Sequence, residues 1–135
     1  MHSEEFRYRS KDTLNLYARV WTPKGDVRGV VALVHGLGEY GGRYLDIGHT
    51  FVDRGYAFVA GDLRGHGMSE GRRAFVSHLD DFMDDLDQYC DKVRARFPGK
   101  PLFLYGFSMG RRLVPHTLSA DAHGWQAPFC AAAAL

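Results

Sequence analysis

The chain has 135 residues, enough for one domain with a real core and too few for two of ordinary size. Its 45% apolar and 24% charged residues are ordinary for a globular protein, and a net charge of +1 without a basic stripe points to neither nucleic acid nor an anionic membrane surface. Met1 to Phe6 hold no signal-peptide core, no stretch approaches a transmembrane span, and Cys90 and Cys130 make neither a disulfide framework nor a zinc site. A cytoplasmic protein is the expectation.

Residues 5–9 and 14–22 alternate loosely around Lys11-Asp12-Thr13, which predicts an antiparallel hairpin at the edge of a sheet. Pro23 to Asp26 is a turn. Val30 to Val34 is apolar on both faces, the pattern of a strand covered by helices on both sides. It ends in the glycine-rich loop His35 to Gly42, and Tyr44, Ile47 and Phe51 then predict a helix over 43–54 that stops at Gly55. Tyr56 to Ala60 is a second buried strand, emptying into the loop Gly61 to Gly71.

The clearest helix follows. Leu79, Phe82, Met83, Leu86, Tyr89, Val93 and Phe97 share one face, Ser77 and Asp80 form a capping-box pattern, and Pro98-Gly99 ends it. Its aspartates 80, 81, 84, 85 and 87 crowd the front half while Lys92, Arg94 and Arg96 sit at the back, which suits the helix dipole. Without a convergent loop, those carboxylates read as a solvated face rather than a metal site.

Leu102 to Tyr105 is a third buried strand, and it runs directly into Gly106-Phe107-Ser108-Met109-Gly110. A G-x-S-x-G sequence between strand and helix is a nucleophile elbow: a sharp turn holds the serine in a strained, exposed position at a helix N-terminus. The pentapeptide alone arises by chance in roughly one chain in twenty of this length, so its context must decide. The alternation of strand, loop and helix implies an open, mostly parallel α/β sheet with an antiparallel edge. Ligands bind such sheets beyond the carboxyl ends of the strands. The loops 35–42, 61–71 and 106–110 all fall there, so they should meet on one rim.

A rival fingerprint shares the first loop. Gly36-x-Gly38-x-x-Gly41 follows a strand and precedes a helix, and Asp62 stands where a dinucleotide fold places its ribose carboxylate. Against a dinucleotide-binding oxidoreductase, Glu39 would put a carboxylate inside the loop that must cradle a pyrophosphate. The elbow reading uses all three loops, the rival fewer than two.

Taken together, His35-Gly-Leu-Gly-Glu-Tyr40 with Gly42-Arg-Tyr44, Asp62-x-Arg64-Gly-His66-Gly-x-Ser69-x-Gly71 and Gly106-Phe-Ser-Met-Gly110 resemble the monoacylglycerol lipase and lysophospholipase branch of the α/β-hydrolases, often grouped with the serine aminopeptidase-like hydrolases. The resemblance spans roughly residues 5–110. It implies a cofactor-free serine ester hydrolase acting on acylglycerols, lysophospholipids or similar carboxylic esters, with peripheral membrane contact to reach a lipid substrate. Amide hydrolysis and perhydrolysis stay open within the family. Ser108 matches its nucleophile, and the backbone N–H groups of Leu37 and Met109 match its oxyanion-hole donors. His35 matches a structural histidine of the oxyanion loop, and Arg64 and His66 match a loop that buttresses the rim. Ser69 lacks an elbow, and His49 and His78 read as surface residues.

The pattern breaks after the elbow. Only 27 residues follow Ser108, leaving no room for the strands that carry the triad acid and base, so His116, Asp121 and His123 receive no triad role. Arg111 and Arg112 put cations near a helix N-terminus, and Pro115 is expected to interrupt that helix within two turns. The expectation is the N-terminal half of an α/β-hydrolase domain over 1–110, truncated after the elbow. Residues 111–135 would be a divergent tail, frameshifted or disordered. Strand 102–105 would then be an exposed apolar edge, and the chain is expected to fold poorly alone or to self-associate through it.

Overall fold

A computed structural model describes residues 1–117. Five strands form one sheet: β1 (His2–Arg9), β2 (Asn15–Thr22), β3 (Val30–Val34), β4 (Ala57–Asp62) and β5 (Leu102–Gly106). Their spatial order is β1-β2-β4-β3-β5, with β1–β2 and β2–β4 antiparallel and β4–β3 and β3–β5 parallel. A 3₁₀ turn (Gly41–Tyr44) and helix α1 (Leu45–Asp53) connect β3 to β4. Helix α2 (Leu79–Arg96) lies between β4 and β5 in the chain, and α3 (Met109–Thr117) follows β5.

The period-two alternation of each strand divides the core into two layers. Val30, Ala32 and Val34 of β3, with Ala57 and Val59 of β4, pack with Phe82, Leu86, Tyr89 and Val93 of α2 and with Leu113 and Val114 of α3. Val31, Leu33, Phe58 and Ala60 face the other way, toward Tyr44, Val52 and the half-buried Phe51. The Phe51 ring stacks on Phe58 at 6.0 Å. Because β4 and β5 lie on opposite sides of β3, the chain direction of the crossovers reverses at β3. That switch point opens a crevice at the carboxyl end of β3, where the first and third glycine-rich loops meet.

Several expectations needed correction. Ser77 does not cap α2. The cap residue is His78, in an extended conformation and with no side-chain hydrogen bond. Leu79 is exposed rather than part of the apolar face, and Asp85 is only 1% exposed, so the acidic front of α2 is not wholly solvated. α3 does not break at Pro115 but runs to Thr117, with Leu113 and Val114 buried against the sheet to hold it. The rest of the expected tail, residues 118–135, lies outside the described residues. Among the described residues, no helix is long and apolar enough to cross a membrane.

Candidate active site

β5 delivers Ser108 onto the elbow. Its φ of +53° is in the left-handed region, which costs an ordinary L-residue about 1–2 kcal/mol, and its side chain is exposed. The strain persists because the surrounding backbone leaves no alternative. Phe107 N–H donates to the Val34 carbonyl at 3.0 Å, and Gly110 N–H donates back to Phe107 O at 2.9 Å. A Cβ on Gly110 would lie 1.9 Å from the Val34 oxygen, so only glycine lets α3 start this close to β3.

The oxyanion loop passes directly against the serine. A Cβ on Gly36 would sit 3.1 Å from Ser108 Cβ and 3.6 Å from its Oγ. Glu39 N–H donates to Gly36 O at 3.3 Å, and Gly38 has a φ of +74°. Residues 36–39 are therefore a turn of the type II kind, with glycine where φ must be positive. Among the described residues, neither the Leu37 nor the Met109 amide N–H is tied into a backbone hydrogen bond, and the Leu37 side chain is exposed.

His35 is fully buried and cannot serve as a base. Its Nδ1 bonds the Gly36 carbonyl at 2.7 Å, and its Nε2 accepts the Leu63 N–H at 2.9 Å, so both ring nitrogens are engaged and the tautomer is Nδ1–H. Burial lowers its pKa and keeps the ring neutral. Holding the Gly36 carbonyl also orients the Leu37 N–H, which points the opposite way across a planar trans peptide.

The loop after β4 is built as a support. Asp62 takes Gly41 N–H on one oxygen (2.7 Å) and Met68 N–H on the other (2.8 Å) and is 3% exposed. A carboxylate buried this way and spent on two loop amides is not presented to a ribose, and this geometry opposes the dinucleotide reading. Ser69 Oγ donates to Asp62 O and accepts Tyr17 N–H, a structural bridge rather than a nucleophile. Arg64 grips Asp85 through Nε (2.6 Å) and Nη2 (2.8 Å), and Asp12 through Nη1 (2.8 Å) and Nη2 (2.9 Å). The Arg64 hydrogen bonds hold the Asp12 carboxyl at about 2. Burial raises Asp85 while the bonds from Arg64 pull against it, and Arg64 is held above its ordinary value chiefly by Asp85.

The sequence reading missed this Asp12–Arg64–Asp85 network. One signal was present: Asp85 falls between Phe82 and Tyr89 on the apolar stripe of α2. His78 is exposed and His49 half-buried. The side chain of His116, together with Asp121 and His123, lies outside the described residues.

A sheet ordered this way, with a strained serine after its last strand and a glycine loop pressed against that serine, is the α/β-hydrolase fold. The chain belongs to the family described as serine aminopeptidase, S33, which matches residues 25–135. It is 38% identical over 95 residues to monoglyceride lipase of Homo sapiens, covering 70% of this chain and 31% of that protein. With phospholipase YtpA of Bacillus subtilis (strain 168) it shares 37% identity over 92 residues, 67% of this chain and 35% of the relative. Among solved structures it resembles a highly thermostable carboxyl esterase from Bacillus coagulans, solved in complex with glycerol, with a TM-score of 0.80 and 27% identity over 98% of this chain and 44% of the esterase. The chain thus spans about a third of the length of these curated relatives. The lineage is that of lipase- and esterase-type hydrolases.

Proposed function

We propose that the chain is the nucleophile-bearing part of a serine ester hydrolase of the monoacylglycerol lipase and lysophospholipase type, working without a cofactor. Ser108 Oγ attacks the ester carbonyl, the alcohol leaves with a proton, and water releases the acid from the acyl-enzyme. The Leu37 and Met109 N–H groups stabilise the oxyanion, each such donor being worth about 3 kcal/mol in the transition state. The observation that carries this reading is the exposed Ser108 at φ +53°, in contact range of the turn that presents Leu37. The names of the relatives support acylglycerols and phospholipids as the substrate class.

A second reading has its own support. Among the described residues nothing hydrogen-bonds Ser108 Oγ, and both His35 and His66 have their ring nitrogens engaged elsewhere. A chain without a base would be an inactive fragment that binds or oligomerises. A fluorophosphonate probe separates the two: labelling that Ser108→Ala abolishes is expected of a working elbow. No labelling of the unmodified chain overturns the enzyme reading for these 135 residues.

A further inference from the structure

His66 is 4% exposed and sits at the tip of the loop after β4. Its Nε2 lies 3.0 Å from the Gly38 nitrogen, and its Nδ1 lies 2.9 Å from the Arg64 carbonyl. An amide N–H can only donate and a carbonyl can only accept, so Nε2 must carry the lone pair and Nδ1 the proton. Its ring packs at 5.2 Å from that of His35.

What this ring holds matters. Gly38 is the third residue of the turn that presents Leu37, and its N–H belongs to the central peptide between Leu37 and Gly38. Type I and type II turns differ by a flip of that central peptide. An acceptor fixed on one side of the turn selects one flip over the other. His35 already holds the preceding peptide through Gly36 O. Each peptide plane flanking Leu37 is therefore gripped by one imidazole.

We propose that His66 is a positioning residue for the oxyanion turn: by accepting the Gly38 N–H it locks the 37–38 peptide in its type II orientation and keeps the Leu37 amide in place beside Ser108. The grip is anchored from behind. Arg64, whose carbonyl fixes the His66 tautomer, is itself held by Asp12 and Asp85. A chain of hydrogen bonds thus runs from the β1–β2 connection and α2 through the second loop to the first. The latch stands on geometry alone, while its catalytic consequence rests on the function proposed above.

The test uses the ¹⁵N-labelled 135-residue chain with His66→Leu, which removes the acceptor, and His66→Gln, whose amide oxygen can replace it. Hydrogen exchange at the Gly38 amide is expected to quicken at least tenfold in His66→Leu, beyond any change at β3 and β4 amides, and to return toward the original rate in His66→Gln. An unchanged Gly38 rate, or a rise shared equally by the core strands, overturns the latch. Long-range ¹H–¹⁵N spectra of the unmodified imidazole should show a protonated Nδ1 and an accepting Nε2. The opposite tautomer overturns the proposal even if His66→Leu fails to fold. Fluorophosphonate labelling at Ser108 is expected to slow at least tenfold in His66→Leu and to recover in His66→Gln. If the unmodified chain takes no label, the enzyme reading fails while the exchange and tautomer results still decide the latch.

Discussion

At the scale of single residues, the elbow is a collision avoided. A methyl at position 110 would meet the Val34 carbonyl at 1.9 Å, and both partners are backbone that cannot step aside. Gly110→Ala is therefore expected to lower unfolding stability by about 2 kcal/mol or more. Gly36→Ala, whose methyl would meet the Ser108 side chain at 3.1 Å, should cost clearly less. Urea titration of both variants checks the ranking; equal stabilities would mean the α3 start is looser than its geometry implies. Ser108 itself was readable from the pentapeptide because the strain of an elbow is encoded within five consecutive residues. The Leu37 amide was named only through the family resemblance, and the two rings that hold the peptides on either side of it could not be read from any local pattern.

Between elements, beyond the apolar layers, the charge network at Arg64 ties the β1–β2 connection to α2. Removing one member of a buried ion pair strands the other, at a cost of about 3–5 kcal/mol. Arg64→Ala is expected to fall in that range, because Asp85 would be left charged and buried or forced to protonate. Lys11→Ala, which breaks the largely exposed pair with Asp84, should cost far less, because solvent screens that pair. Comparable losses in the two denaturation midpoints would refute the network's importance.

The same network sets an acid limit. The Asp12 carboxyl titrates at about 2 in the folded chain, below the ordinary value of about 3.9. A depressed carboxyl contributes stability that is whole above the unfolded value and is lost as pH falls through the folded one. Between about pH 4 and 2 the stability of the parent chain should fall more steeply than that of Asp12→Asn; parallel curves would remove Asp12 from the account. None of these partners was legible as a pair. Arg64 lies 52 residues from Asp12 and 21 from Asp85, and no local periodicity links positions so far apart.

For the whole molecule, the consequential feature is the sheet's asymmetry. On one side β1 closes the order as an antiparallel edge with mostly exposed side chains; on the other, β5 pairs with β3 alone among the described residues. β5 is apolar and largely buried on its faces, and β3 is its sole strand partner among the described residues, an arrangement that favours adding another strand. We expect the isolated chain to associate through β5. Sedimentation velocity should show a mass rising above 15.2 kDa with concentration. A single monomeric species at every concentration, with a sharp two-state melt, would count against it.

The sequence by itself determined the elements, their order and the elbow. Each is written in short-range pattern: alternation for strands, a 3.6-residue stripe for α2, glycines where the backbone must turn left or pass close. Pattern also placed three loops at the carboxyl ends of strands, and so on one rim. Tertiary structure decided what those loops do to each other. It spent Asp62 on two backbone amides, set His35 and His66 as grips rather than bases, buried Asp85 against Arg64, and carried α3 past Pro115. The reason is that each of these outcomes depends on which distant donor meets which acceptor once the sheet has closed, and that pairing is fixed by the register of the strands rather than by any neighbouring residue.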